Sequence, residues 1–146
     1  MMMVITMTFQ SAHAEDKKES RQQWAECQAK EIAAELKFDA NTAQKFVETY
    51  CKYQTEMWNC RPRNGKIRHK KGEQLTDADA ETILKGRFEH QRKINEIQEK
   101  YYGEYSKFLS QTQILKALDL EKKMFDRMFK QHMSRQKGKA GERNNK

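Results

Sequence analysis

Between residues 39 and 60 the apolar side chains recur in steps of three and four: Ala43, Phe46, Tyr50, Tyr53, Met57 and Cys60. That step returns a side chain to the same face of a 3.6-residue helix, whereas a strand would need strict alternation. Val47, Cys51 and Trp58 widen the stripe. The pattern recurs three more times. Ala25, Ala29, Ile32 and Leu36, with Trp24 and Cys27 beside them, mark residues 16–36. Ile83, His90, Ile94, Ile97, Tyr101, Tyr105 and Phe108 mark 76–108, and Ile114, Leu118, Phe125, Met128 and His132, flanked by Leu115, Met124 and Phe129, mark 110–133. A single Pro and six Gly leave little to interrupt helices of this length. With 36% hydrophobic against 34% charged residues, narrow seams rather than a thick core must hold the chain together. The expected fold class is therefore all-α: four helices in two hairpins, thin and elongated.

The helix starts carry capping chemistry. Ser110 followed by Gln113 is a capping box, with Leu109 before it and Ile114 after it as a hydrophobic staple. Thr76 and Asp79 open the third helix in a similar way, and Asn41 and Gln44 form a looser version at the start of the second. The only long loop, 61–72, follows Cys60 and contains Pro62, which forbids continued helix there.

A Leu-Ser-x-x-Gln box at 109–113 and an Asn-x-x-Gln box at 41–44, each at the corner of a hairpin, resemble the paired Leu-Thr-x-x-Gln motifs of the Spy/CpxP-like periplasmic proteins. Ser110 stands where that family has Thr, and Ala40 stands where the first motif has Leu. The resemblance covers roughly residues 20–133. It implies a curved antiparallel homodimer and an ATP-independent chaperone or envelope-stress role, holding unfolded polypeptides on an apolar and basic surface. Metal-binding or metal-sensing relatives, and relatives that inhibit a sensor kinase, supply the alternatives.

Residues 1–14 carry no Asp, Glu, Lys or Arg and end in Ala12-His13-Ala14, the small–x–small pattern of a signal-peptide cleavage site. The expected organisation is a signal peptide over 1–14, a helical domain over 15–133 and a basic disordered tail over 134–146, in an exported, soluble periplasmic protein. Charge is unevenly spread. Residues 61–72 hold six Lys or Arg and no acid, and 134–146 hold five against Glu142. Together they exceed the net charge of +8, so the helical body itself is slightly acidic. Arg61, Arg63, Lys66, Arg68, Lys70 and Lys71 are the candidates for steering acidic clients or contacting an anionic envelope surface. Nucleic acid is not an expected partner for an exported chain.

The sequence contains no Gly-x-Ser-x-Gly, Gly-rich phosphate loop or His-Glu-x-x-His, and neither catalysis nor a cofactor is expected. Met128 and His132, four apart on one helix face, are soft donors for a metal, but both also fit the apolar seam. Export into an oxidising compartment suggests a disulfide. Pairing the first two helices about a reversal near 37–40 sets Cys27 level with Cys51, leaving Cys60 unpaired or linking two chains. A Cys51–Cys60 bridge is the rival, and it requires the second helix to break before Trp58.

Overall fold

The computed structural model describes residues 12–61 and 74–143, with side chains from 17 to 61 and from 74 to 138. Four helices follow one another: α1 (Ala12–Glu35), α2 (Ala40–Asn59), α3 (Asp77–Ser106) and α4 (Gln111–Arg143). No strand occurs among the described residues, and the all-α expectation holds.

Each helix pairs with its chain neighbours, and α4 also meets α1, so the contacts run α1–α2–α3–α4–α1. In the first hairpin Trp24 meets Trp58 while Gln28 meets Tyr50, an antiparallel register. Ala25 and Ala29 are fully buried on α1, and their small side chains let α2 approach closely. The second helix supplies the aromatic spine of the molecule. Phe46 and Tyr50 are each 1% exposed, and Tyr53 is buried below them. Phe46 stacks on Tyr105 at 5.5 Å, and Tyr53 meets Tyr101 at 5.4 Å, which joins the two hairpins through rings rather than aliphatic side chains. The Tyr50 hydroxyl donates to Gln28 Oε1 at 2.9 Å, so the deepest phenol is satisfied by a buried amide.

The reversal between α1 and α2 is made by Lys37 at φ 54°, a left-handed conformation usual for glycine. Lys37 N–H donates to Ala34 O and Phe38 N–H to Ala33 O, the two bonds of a Schellman cap. Phe38 then turns inward onto Phe46 at 5.6 Å. Asp39 follows in extended backbone and accepts from Thr42 N–H at 2.8 Å. This corrects the expected Asn41–Gln44 box. The helix begins at Ala40, Asn41 lies in its first turn, and Gln44 donates instead to Glu48. A carboxylate placed directly after the turn caps the positive helix end better than an amide two residues later.

The other starts follow the sequence. Gln113 N–H donates to Ser110 Oγ at 3.2 Å and Ser110 N–H to Gln113 Oε1 at 2.9 Å, a reciprocal capping box. Leu109 and Ile114 are both buried around it. Asp79 N–H donates to Thr76 Oγ, whose hydroxyl donates to the Asp79 carboxylate. At its far end α4 continues to Arg143 through residues expected to form a disordered tail from 134. Gln136, Lys137, Lys139 and Ala140 favour helix, and two glycines without a proline do not stop it.

Candidate functional site

The third and fourth helices diverge from the Ser110 corner and leave an open groove of about 580 Å³ between them and α2. Tyr53, Tyr101, Tyr105, Ile114 and Glu121 line it from the core side, and Gln98, Glu99, Tyr102, Leu118, Lys122 and Phe125 line it from the two flanking helices.

Why the groove exists follows from the way α4 is turned. From Ile114 the buried positions are Ala117 and Met124, with half-buried Glu121 between them. The expected seam of Leu118, Phe125 and Met128 is one step around the helix. All three are exposed, as are Leu115 at 62% and Phe129 at 66%. Periodicity points to the more apolar face, because the face that packs carries a carboxylate in its middle. The signal was present in the step of three and four from Ile114 through Ala117 and Glu121 to Met124. On α3, Leu84, Phe88 and Tyr102 are likewise exposed.

Electrostatically the groove has one unusual member. Glu121 stands against Tyr50, Tyr53 and Tyr105, whose hydroxyls burial holds above the usual phenol range, with the Glu121 charge adding to the same direction. Burial pushes the Glu121 carboxyl itself up to about 7, and no charged or hydrogen-bonding group among the described residues offsets that desolvation. Two phenol hydroxyls of the lining are already engaged elsewhere. Tyr101 donates to Glu56 Oε1 at 2.8 Å and Tyr102 to Gln111 Oε1, so their rings remain as groove wall. Lys100 pairs with the same Glu56 oxygen, and these two hydrogen bonds hold the Glu56 carboxyl below its ordinary range.

The remaining predicted positions scatter. Cys27, Cys51 and Cys60 are free thiols, and no two stand at disulfide distance. The expected level register is present, but Gln28 rather than Cys27 faces α2, and one residue of rotation carries Cys27 out to solvent. Cys51 sits half-buried near Glu26 and Lys30, with its thiol pushed up chiefly by burial. The rival Cys51–Cys60 bridge is also absent, as α2 runs unbroken to Asn59. Cys60 instead lies 3.9 Å from His90 Nδ1.

Met128 and His132 do not converge. Met128 Sδ accepts from Gln28 Nε2 at 3.7 Å, while His132 bonds Gln136 within its own helix. Among the described residues no group of three or more His, Cys, Asp or Glu is placed to hold an ion. Arg61 is exposed at the end of the first hairpin, and Arg63, Lys66, Arg68, Lys70 and Lys71 lie outside the described residues, as do positions 1–11. Among the described residues no helix is long and apolar enough to cross a membrane.

Fold and groove together define a four-helix protein that keeps an aromatic cleft and a row of large apolar side chains open to solvent. Comparison with protein-family models, with curated proteins and with solved structures finds no match for the chain.

Proposed function

We propose that this protein is an ATP-independent chaperone or envelope-stress factor of the periplasm, which holds unfolded polypeptides on its apolar α3–α4 face and works as a homodimer. One observation carries the reading: Leu115, Leu118, Phe125, Met128, Phe129 and Met133 all stay exposed along α4 in a chain with a mean hydropathy of −1.12. A row of exposed large apolar side chains on so polar a chain is the mark of a surface kept for a partner. Methionines among the aromatics suit varied clients, because unbranched thioether side chains repack cheaply. The basic run from Arg61 to Lys71, which follows α2 in the sequence, supplies charge that speeds encounter with acidic chains. The reciprocal bonds between Ser110 and Gln113 supply the capping chemistry of the motif that carries the better part of the Spy/CpxP-like resemblance. The Asp39 cap replaces the other copy, which leaves the resemblance resting on one motif.

The test is light scattering from a chemically denatured model enzyme diluted into the protein without nucleotide. Suppression of aggregation at near-stoichiometric ratios is expected, with Leu115→Ser/Phe129→Ser losing most of it while retaining the helical circular-dichroism spectrum. Neutralising the six basic loop residues is expected to slow capture and to flatten its dependence on salt. No suppression by the wild type overturns the reading. Suppression that appears only with added Zn²⁺ or Cu⁺ favours the metal-responsive alternative.

A further inference from the structure

We propose that the α3–α4 groove is a binding site for a small organic cation with an apolar body, an aliphatic or aryl ammonium or its phosphonium equivalent, seated with its charge over Glu121.

The argument starts from what Glu121 costs. A carboxylate drawn partly out of water without a partner is disfavoured in its charged form, and such groups are commonly paired or placed at a site. Glu121 is half-buried on the packed face of α4 between Ala117 and Met124, it is paired with no side chain among the described residues, and burial raises its proton affinity. It also opens onto a cavity of about 580 Å³, within the range of about 300–1,000 Å³ that takes a drug-sized ligand. The surroundings decide what kind of ligand. Tyr101 and Tyr102 present rings whose hydroxyls are bound to Glu56 and Gln111, and Phe125 and Leu118 add apolar wall. Aromatic faces attract cations, and they do so most strongly where water is excluded. At the rim Glu99 and Lys122 are both exposed and opposite in sign, so the net charge presented to a ligand is that of Glu121.

Other ligand classes fit worse. A neutral apolar ligand would cover the carboxylate and leave it unpaired. An anion would meet like charge. A hard divalent ion takes six to eight oxygen ligands, and this groove offers two carboxylates among aromatic rings. An organic cation satisfies the carboxylate and the rings at once. This ligand class is separate from unfolded polypeptide, and its test contains no client, so either reading can fail alone.

The protein's net charge of +8 makes the experiment discriminating, because non-specific attraction favours anions over cations. Tetraphenylphosphonium and tetraphenylborate have nearly the same shape and opposite charge. Titration calorimetry at pH 8 is expected to give saturable one-to-one binding of the phosphonium, tighter than the borate. Glu121→Gln is expected to weaken phosphonium binding at least about tenfold, the usual loss for a charged partner, while borate binding holds or improves. Leu118→Lys, at an exposed wall position that tolerates charge without disturbing the core, is expected to abolish phosphonium binding. It decides the matter should Glu121→Gln not fold. No phosphonium binding, equal or tighter binding of the borate by the wild type, or phosphonium binding that survives the folded Glu121→Gln or the Leu118→Lys variant each overturns the proposal.

Discussion

Lys37 holds a backbone conformation that a side chain disfavours, and it does so because the two cap bonds to Ala33 and Ala34 and the inward Phe38 fix the turn around it. Lys37→Gly removes the clash at some cost in unfolded-chain entropy, so it is expected to stabilise by up to about 1 kcal/mol. Thermal melts compare the two directly, and a destabilised glycine variant would mean that the lysine side chain contributes packing there. Glu121 gives a pH signature. Its folded value of about 7 stands above the ordinary 4.5, so the native state binds a proton more tightly than the unfolded chain. Its contribution to stability is therefore full below about pH 4.5, falls as the pH rises through about 7, and is gone above it. Carboxyls held below their ordinary range, such as Asp39 and Glu56, titrate under that window and leave it clear. Urea unfolding is expected to show the wild type less stable at pH 8 than at pH 5, with Glu121→Gln flattening the difference by roughly 1–3 kcal/mol. Identical pH profiles for wild type and variant would place the carboxylate in water. Among the thiols, Cys27 is exposed while burial raises Cys51, so a thiol reagent at pH 7.5 is expected to label Cys27 first in the folded protein.

At the scale of the helix, α2 is secured by what it buries and α4 by where it begins. Tyr50→Phe keeps the tilted ring contact with Phe46 but strips Gln28 of its buried partner, with an expected loss of about 1–3 kcal/mol in chemical denaturation. In α4 the staple and capping box fix the first turns, and every side chain from Phe125 to Gly138 is exposed. Trp24 against Phe125 and Gln28 against Met128 are the contacts to α1 along this stretch, and beyond them the helix is held by its own ladder, whose stability falls toward the end. Hydrogen exchange is expected to be fastest in α4 beyond His132 and slowest around Phe46–Tyr53, and protection reaching Arg143 in the isolated chain would point to a partner on that segment.

The two hairpins cross-connect at both ends of the molecule, through Phe46–Tyr105 near the α3–α4 corner and through Trp24–Phe125 on the far side. Neither hairpin covers its own rings, so the molecule is expected to unfold as one unit. Tryptophan fluorescence, which reports Trp24 and Trp58, and far-ultraviolet circular dichroism should share a denaturant midpoint. Separate midpoints would show hairpins that fold independently.

Helix number and spacing, the Ser110–Gln113 box, the α2 seam and the level register of Cys27 with Cys51 were all legible in the chain, because each depends on residues within a few turns of one another or on one short reversal. The rotation of a helix about its own axis is a different kind of quantity. Whether Gln28 or Cys27 faces α2, and whether α4 packs through Glu121 or through Leu118 and Phe125, turns on a rotation of about 100° or less that local periodicity leaves open. Tertiary packing decided both. On α1 the small side chains of Ala25 and Ala29 admitted α2 and carried Gln28 inward to Tyr50. On α4 the staple at Leu109 and Ile114 set the first buried position, and the step of three and four from there brought a half-buried carboxylate to the packed face and left Leu115, Leu118 and Phe129 facing water.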